Sequence, residues 1–131
     1  MALLDKIKSL SELLHTQVIE WRRHLHANPE LSYQEFNTAK FVAEKLKSFG
    51  LNPVPMANTG WVALIQGKPG KNTVALRADM DALPIEEKNN VPYKSTRPGV
   101  MHACGHDVHT ASLLGTAKIL SQLKSEFEGT V

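Results

Sequence analysis

Three features of the sequence predict an α/β chain: apolar residues at helical spacing through the first fifty positions, two short strand-forming runs after them, and a third helical segment leading towards another strand. At 131 residues and 14.5 kDa the chain has the length of one domain. Hydrophobic residues at 42% against 21% charged ones are enough to build a core, which excludes a disordered polymer. Fifteen Lys and Arg against thirteen Asp and Glu leave a net charge of +2, spread along the chain. That gives no basic stripe for a nucleic acid and no patch for an anionic membrane. A single cysteine excludes an internal disulfide. The opening Met1-Ala2-Leu3-Leu4-Asp5-Lys6 is charged where a signal peptide needs an apolar run, and no run is long enough to span a bilayer. The expectation is a cytoplasmic protein without nucleic-acid or membrane partners.

The elements follow in order. Leu3, Ile7, Leu10, Leu14, Val18, Trp21 and Leu25 recur at three- and four-residue steps and predict a first helix. It ends before Asn28-Pro29, because a proline pushes the residue before it out of helical geometry. Ser32 and Glu35 have capping-box spacing ahead of a second stripe, Phe36, Val42, Leu46 and Phe49, with Gly50 as its C-terminal cap. The runs Trp61–Ile65 and Thr73–Leu76 predict two adjacent strands joined through Gly67–Lys71 as a hairpin. Residues 80–105 read as a long irregular stretch, punctuated by Pro84, Pro92, Pro98 and Gly99 but carrying apolar residues throughout, as functional loops do. A third helix is expected from Asp107 to about Leu123, burying Leu113, Leu114, Ala117 and Leu120, with Asp107 as its cap. The closing Glu128-Gly129-Thr130-Val131 reads as a turn into a strand.

Chemistry concentrates in two places. Met101-His102-Ala103-Cys104-Gly105-His106-Asp107-Val108-His109 holds the only cysteine and three of the six histidines. In extended backbone His102, Cys104 and His106 point to one side, and thiolate with imidazole suits zinc and neighbouring transition metals. A buried thiol near a turn with surface histidines is the plainer reading. A third makes Cys104 a nucleophile activated by a nearby histidine. The second place is Arg77-Ala78-Asp79-Met80-Asp81, beyond a predicted strand, where carboxylates can hold a cation or simply pair with Arg77. His24 and His26 flank Leu25 near a helix end, where the dipole alone accounts for them. Trp21 and Trp61 are expected in the core.

The segments Trp21–Leu31, Leu76–Pro84 and Met101–His109, in that order, resemble the N-terminal portion of the M20 metallopeptidase family. They are most similar to its amidohydrolase branch: N-acyl-L-amino acid amidohydrolases, hippurate hydrolases, N-acetyl-diaminopimelate deacetylases and auxin-conjugate hydrolases. The resemblance implies part of an α/β/α zinc-peptidase-like catalytic domain with a mixed sheet, truncated, with residues 1–131 forming its N-terminal part. It implies that Cys104 and His106 are metal ligands and that Asp81 is the catalytic aspartate that orients a ligand. Asp79 stands where other branches have a metal-binding histidine, so a departure is located there.

The same resemblance implies two divalent metal ions per site, chosen among Zn, Mn, Co and Ni, and a small N-acyl amino acid as substrate. In the family these metals activate a water and polarise the amide carbonyl, while a glutamate serves as general base. That glutamate, the remaining ligands and a smaller dimerisation or lid domain are expected beyond Val131. Glu126 and Glu128 do not replace the base, since Phe127 separates them. The chain alone is therefore expected to be inactive and to self-associate, as a homodimer or otherwise. The alternatives are a non-catalytic remnant of the fold and a Cys104-dependent thiol hydrolase.

Overall fold

A computed structural model describes all residues, Met1–Val131. The first apolar stripe folds as helix α1 (Leu3–Ala27), which buries Leu14, Trp21, Leu25 and His26 and ends at Asn28, ahead of Pro29 as expected. Helix α2 (Phe36–Ser48) buries Thr38, Ala39, Val42, Ala43 and Leu46, and Gly50 follows its end in left-handed conformation. Helix α3 (His106–Gln122) lies along α1 and buries Ala111, Leu114 and Ala117, with Leu113 and Leu120 half-buried. Leu14, Trp21 and Leu25 of α1, Val42 and Leu46 of α2, and Ala111, Leu114 and Ala117 of α3 meet Leu51 and Ile65 in one core. Trp21 fills that core as expected, and Trp61 packs half-buried at its margin. Gly115 lies at the crossing, where a Cβ would stand 2.9 Å from Val18 Cγ2 and would force that side chain to shift.

Two helix caps differ from the sequence expectation. The carboxylate of Glu35 accepts from Thr59 Oγ1 at 2.9 Å and makes no capping box with Ser32. The first turn of α2 is capped instead by buried Glu30, which accepts from the N–H groups of Asn37 and Thr38 at 3.2 and 2.6 Å. Asp107 does not cap α3 either. Gly105 is the N-cap residue at φ +90, and Asp107 lies inside the first turn with its side chain turned into the protein. Because the cap position needs left-handed backbone, a glycine occupies it in place of an aspartate.

The strands also re-pair. The antiparallel hairpin joins β1 (Val54–Met56) to β2 (Gly60–Val62) through Ala57 and Asn58, both at positive φ. The expected hairpin between Trp61–Ile65 and Thr73–Leu76 does not form. The Gly- and Pro-bearing stretch taken as its turn is itself strand β3 (Lys68–Thr73), paired in parallel with β4 (Glu128–Thr130). Ile65 exchanges both main-chain hydrogen bonds with Val131, at 2.8 and 3.0 Å. The non-local closure between residues 65–74 and the chain end thus displaces the local pairing. The chain is α/β, with antiparallel and parallel pairing both present.

Residues 74–105 carry isolated bridges and no regular element, in keeping with the irregular stretch read from the sequence. Leu83 and Met101 exchange main-chain hydrogen bonds at 2.9 and 3.0 Å and close the base of the loop between them.

Candidate metal centre

Every candidate side chain sits on the loop running into α3 or on the segment facing it. His106 opens α3, and its Nδ1 lies 2.9 Å from both the carbonyl oxygen and Oδ1 of Asp81. A carbonyl oxygen only accepts, so Nδ1 carries the proton and the lone pair of a neutral ring falls on Nε2. A carboxylate that fixes the tautomer and aim of an imidazole in this way is the usual support of a metal-binding histidine. Cys104 precedes it across Gly105, and its thiol is exposed. Gly105 breaks the extended backbone, so the expected one-sided row of His102, Cys104 and His106 is not formed: His102 is buried, Cys104 is exposed and His106 is half-buried. The ring of His109 lies 5.9 Å from that of His106.

The donor chemistry of Cys104 and His106, a thiol and an imidazole with its far nitrogen free, fits a divalent transition metal. No three His, Cys, Asp or Glu side chains converge, so the chain presents two of the sequence-derived donors and not a closed shell.

Asp79 takes the plainer of its two readings. Arg77 donates from Nη2 at 2.7 Å and from Nε at 3.2 Å, and this guanidinium holds the Asp79 carboxyl below the usual carboxylate range. Its carbonyl accepts from Thr110 Oγ1 at 2.9 Å, which ties the segment to α3.

The structure adds groups that sequence reasoning left outside the site. His26 is buried, with Nδ1 2.7 Å from Asp107 Oδ2 and Nε2 3.0 Å from Glu87 Oε1. The reading of His26 as a helix-end group satisfied by the dipole is thus corrected: it is the centre of a buried polar cluster. Arg22 Nε stands 2.9 Å from the same Asp107 oxygen, and Tyr93 sets its ring edge-on to His26 at 5.7 Å. Burial pushes the Glu87 carboxyl up, but the Ser95 N–H, His26 and Asn89 together hold it below the usual range. His102 is 5% exposed with neither ring nitrogen hydrogen-bonded, and burial pushes it below the ordinary histidine value despite nearby Asp107. The partners of His26 stand far along the chain, so no spacing rule points to them. The one sequence signal was Arg22-x-x-x-His26 on one face of a helix. A pocket of about 310 Å³ lies at the end of α1, lined by Leu25 and by polar residues that include His24, Glu30, Thr38 and Arg97. None of the candidate donors lines it, and Glu30 is already engaged there by four donors.

The chain thus presents a carboxylate-held histidine and an exposed thiol at the entry of a helix on an α/β scaffold. The family model for peptidase family M20/M25/M40 matches residues 75–131. The chain is 55% identical over 129 residues to the N-acyl-L-amino acid amidohydrolase of Geobacillus stearothermophilus, covering 97% of this chain and 35% of that protein. It is 48% identical over 119 residues to the N-acetylcysteine deacetylase of Bacillus subtilis strain 168, covering 89% of this chain and 31% of that one. The crystal structure of the Bacillus subtilis YXEP protein, described as a dinuclear metal-binding peptidase of the M20 family, superposes with a TM-score of 0.87. The sequence identity there is 45%, over 92% of this chain and 34% of that one. The chain thus spans about a third of the length of the curated relatives it matches.

Proposed function

We propose that this chain forms the N-terminal part of a catalytic domain that hydrolyses N-acyl amino acids or related small amides. In this reading it contributes Cys104 and His106 as metal ligands and Asp81 as the residue that orients them. The observation that carries the reading is the Asp81–His106 contact, 2.9 Å at Nδ1, beside an exposed thiol. The relatives named as an amidohydrolase and a deacetylase support the substrate class. The dinuclear description of the M20 neighbour supports a pair of divalent ions.

When bound, divalent cations supply Lewis-acid polarisation of an amide carbonyl and lower the pKa of water. The chain's own residues prepare for this. Asp81 holds the Nδ1 proton of His106 and leaves the ring's lone pair on Nε2. Gly105, in left-handed backbone, turns the chain so that Cys104 projects into solvent ahead of the helix. Arg77 and Thr110 anchor Asp79, which keeps it a supporting group and not a ligand.

With two ligands and no converging third, the 131-residue chain alone binds metal weakly and does not turn over. Its place is the cytoplasm, and no helix in it is long and apolar enough to cross a membrane. The test is a graft in which this chain replaces the matched segment of the Geobacillus stearothermophilus relative. Metal-dependent hydrolysis of an N-acetyl amino acid is expected from the graft, abolished by His106→Ala, with no turnover by the chain alone. Asp81→Asn is expected to weaken metal binding by about 10- to 100-fold. Turnover by the chain alone, or a graft indifferent to both His106 and Cys104, overturns the proposal.

A further inference from the structure

We infer that His26 is a positioning residue for the Cys104–His106 segment, clamping its helical end through Asp107 while holding the preceding loop through Glu87. The segment 102–106 is fixed at two points. At its start, Leu83 and Met101 pair through two main-chain hydrogen bonds. At its end, Asp107 follows His106 directly, and its Oδ2 is held by His26 Nδ1 at 2.7 Å and lies 2.9 Å from Arg22 Nε. His26 sits in the last turn of α1, so the clamp is anchored in a helix whose inner face is core.

The other ring nitrogen reaches the loop. Glu87 Oε1 lies 3.0 Å from His26 Nε2, and its Oε2 accepts from the Ser95 N–H at 2.6 Å. Thr96 then donates twice, from N and from Oγ1, to the Ala27 carbonyl at 2.9 and 2.7 Å. Loop 83–101 is thereby fastened to the end of α1 at Glu87 and at Thr96. One imidazole links α1, the loop and the first turn of α3.

The geometry also places an acceptor at each ring nitrogen. A carboxylate offers lone pairs and no hydrogen, so a nitrogen facing one donates, and His26 faces one with each nitrogen. The clamp thus predicts that each nitrogen donates, Nδ1 to Asp107 at 2.7 Å, well inside the 3.5 Å to Arg22 Nη2, and Nε2 to Glu87. The groups around it are Arg22 on α1, Asp107 on α3, and Glu87, Tyr93 and His102 on the loop. With both carboxylates 1% exposed or less, Arg22 and the His26 ring are the groups placed to compensate them. Removing one partner from such a buried pair is strongly destabilising, because the remaining charge stays buried.

The consequence for metal binding rests on the ligand reading of Cys104 and His106, but the clamp itself is tested without metal. The experiment is NMR on the chelator-treated 131-residue chain, with two variants. In the unaltered chain at pH 7 the His26 ring is expected to show a slowly exchanging proton on each nitrogen. A ring with one bare nitrogen overturns the inference. In His26→Gln, amide exchange of residues 106–110 is expected to rise at least about tenfold more than that of residues 116–122. In Asp107→Asn the same local rise is expected, and the double variant is expected to be non-additive, since both act on one contact. Additive effects, or a rise spread evenly along α3, overturn it. If His26→Gln does not fold, the ring protonation of the unaltered chain still decides. Failure of these arms with intact Cys104-dependent metal binding refutes the clamp alone, while the reverse outcome refutes the ligand reading.

Discussion

Glu30 stands well ahead of α2, yet its carboxylate takes the N–H groups of Asn37 and Thr38 together with Asn37 Nδ2 and Thr38 Oγ1. These donors outweigh the burial that pushes the carboxyl up and hold it below its ordinary value of 4.5. A carboxyl depressed in the folded state stabilises above its unfolded value, and that contribution fades as pH falls through the folded one. Glu87 acts in the same direction. Glu30→Gln is expected to cost about 1–3 kcal/mol at neutral pH and to flatten the acid limb of stability below about pH 4.5. Urea unfolding across that range checks it, and an unchanged acid limb counts against Glu30 as the cap. The sequence pointed to a capping box because Ser32 and Glu35 have the right spacing, whereas a cap supplied from a turn before the helix has no spacing signature. His26 was missed for the same reason: its character comes from Glu87 and Asp107, far off in the chain.

At the level of elements, the helices were legible because each buries one stripe. The breaks were legible too, with Pro29 stopping α1 and Gly50 following α2. Strand pairing was not legible, because it is decided by partners. Trp61–Ile65 and Thr73–Leu76 have the composition of neighbouring strands, but Ile65 pairs with Val131 and β3 with β4 at the far end of the chain. The hairpin that does form turns at Ala57 and Asn58, both at positive φ, and Ala57 carries no sequence signal for that conformation. The α1–α3 contact carries the site, since α1 supplies His26 and Arg22 while α3 supplies His106 and Asp107. Gly115→Val is expected to cost about 1–3 kcal/mol by forcing Val18 away. Leu114→Ala, at a site 3% exposed, is expected to cost about 2–5 kcal/mol. Denaturant midpoints test both, and a neutral Gly115→Val would contradict the close crossing.

On the scale of the whole molecule, one face stands out. Trp61, Ala63 and Ile65 face the core, so Val62 and Leu64 face away from it, and Val74 and Leu76 are exposed as well. Four exposed apolar side chains on the strand segments are the groups through which association would run. The second and third motifs, Leu76–Pro84 and Met101–His109, meet where Asp81 touches His106, which is how widely separated segments came to be readable as one site. At high concentration the chain is expected to associate through the apolar face, and Leu64→Lys with Leu76→Lys is expected to shift it towards monomer. Light scattering that finds a monomer in the unaltered chain contradicts this. The central claim, that Cys104 and His106 act together as metal ligands, is tested most directly by titrating the chain with millimolar cobalt(II) and following the thiolate-to-metal absorption. The expected result is a saturable band that is lost in Cys104→Ser and weakened in His106→Ala. No band, or a band indifferent to His106, would contradict the claim.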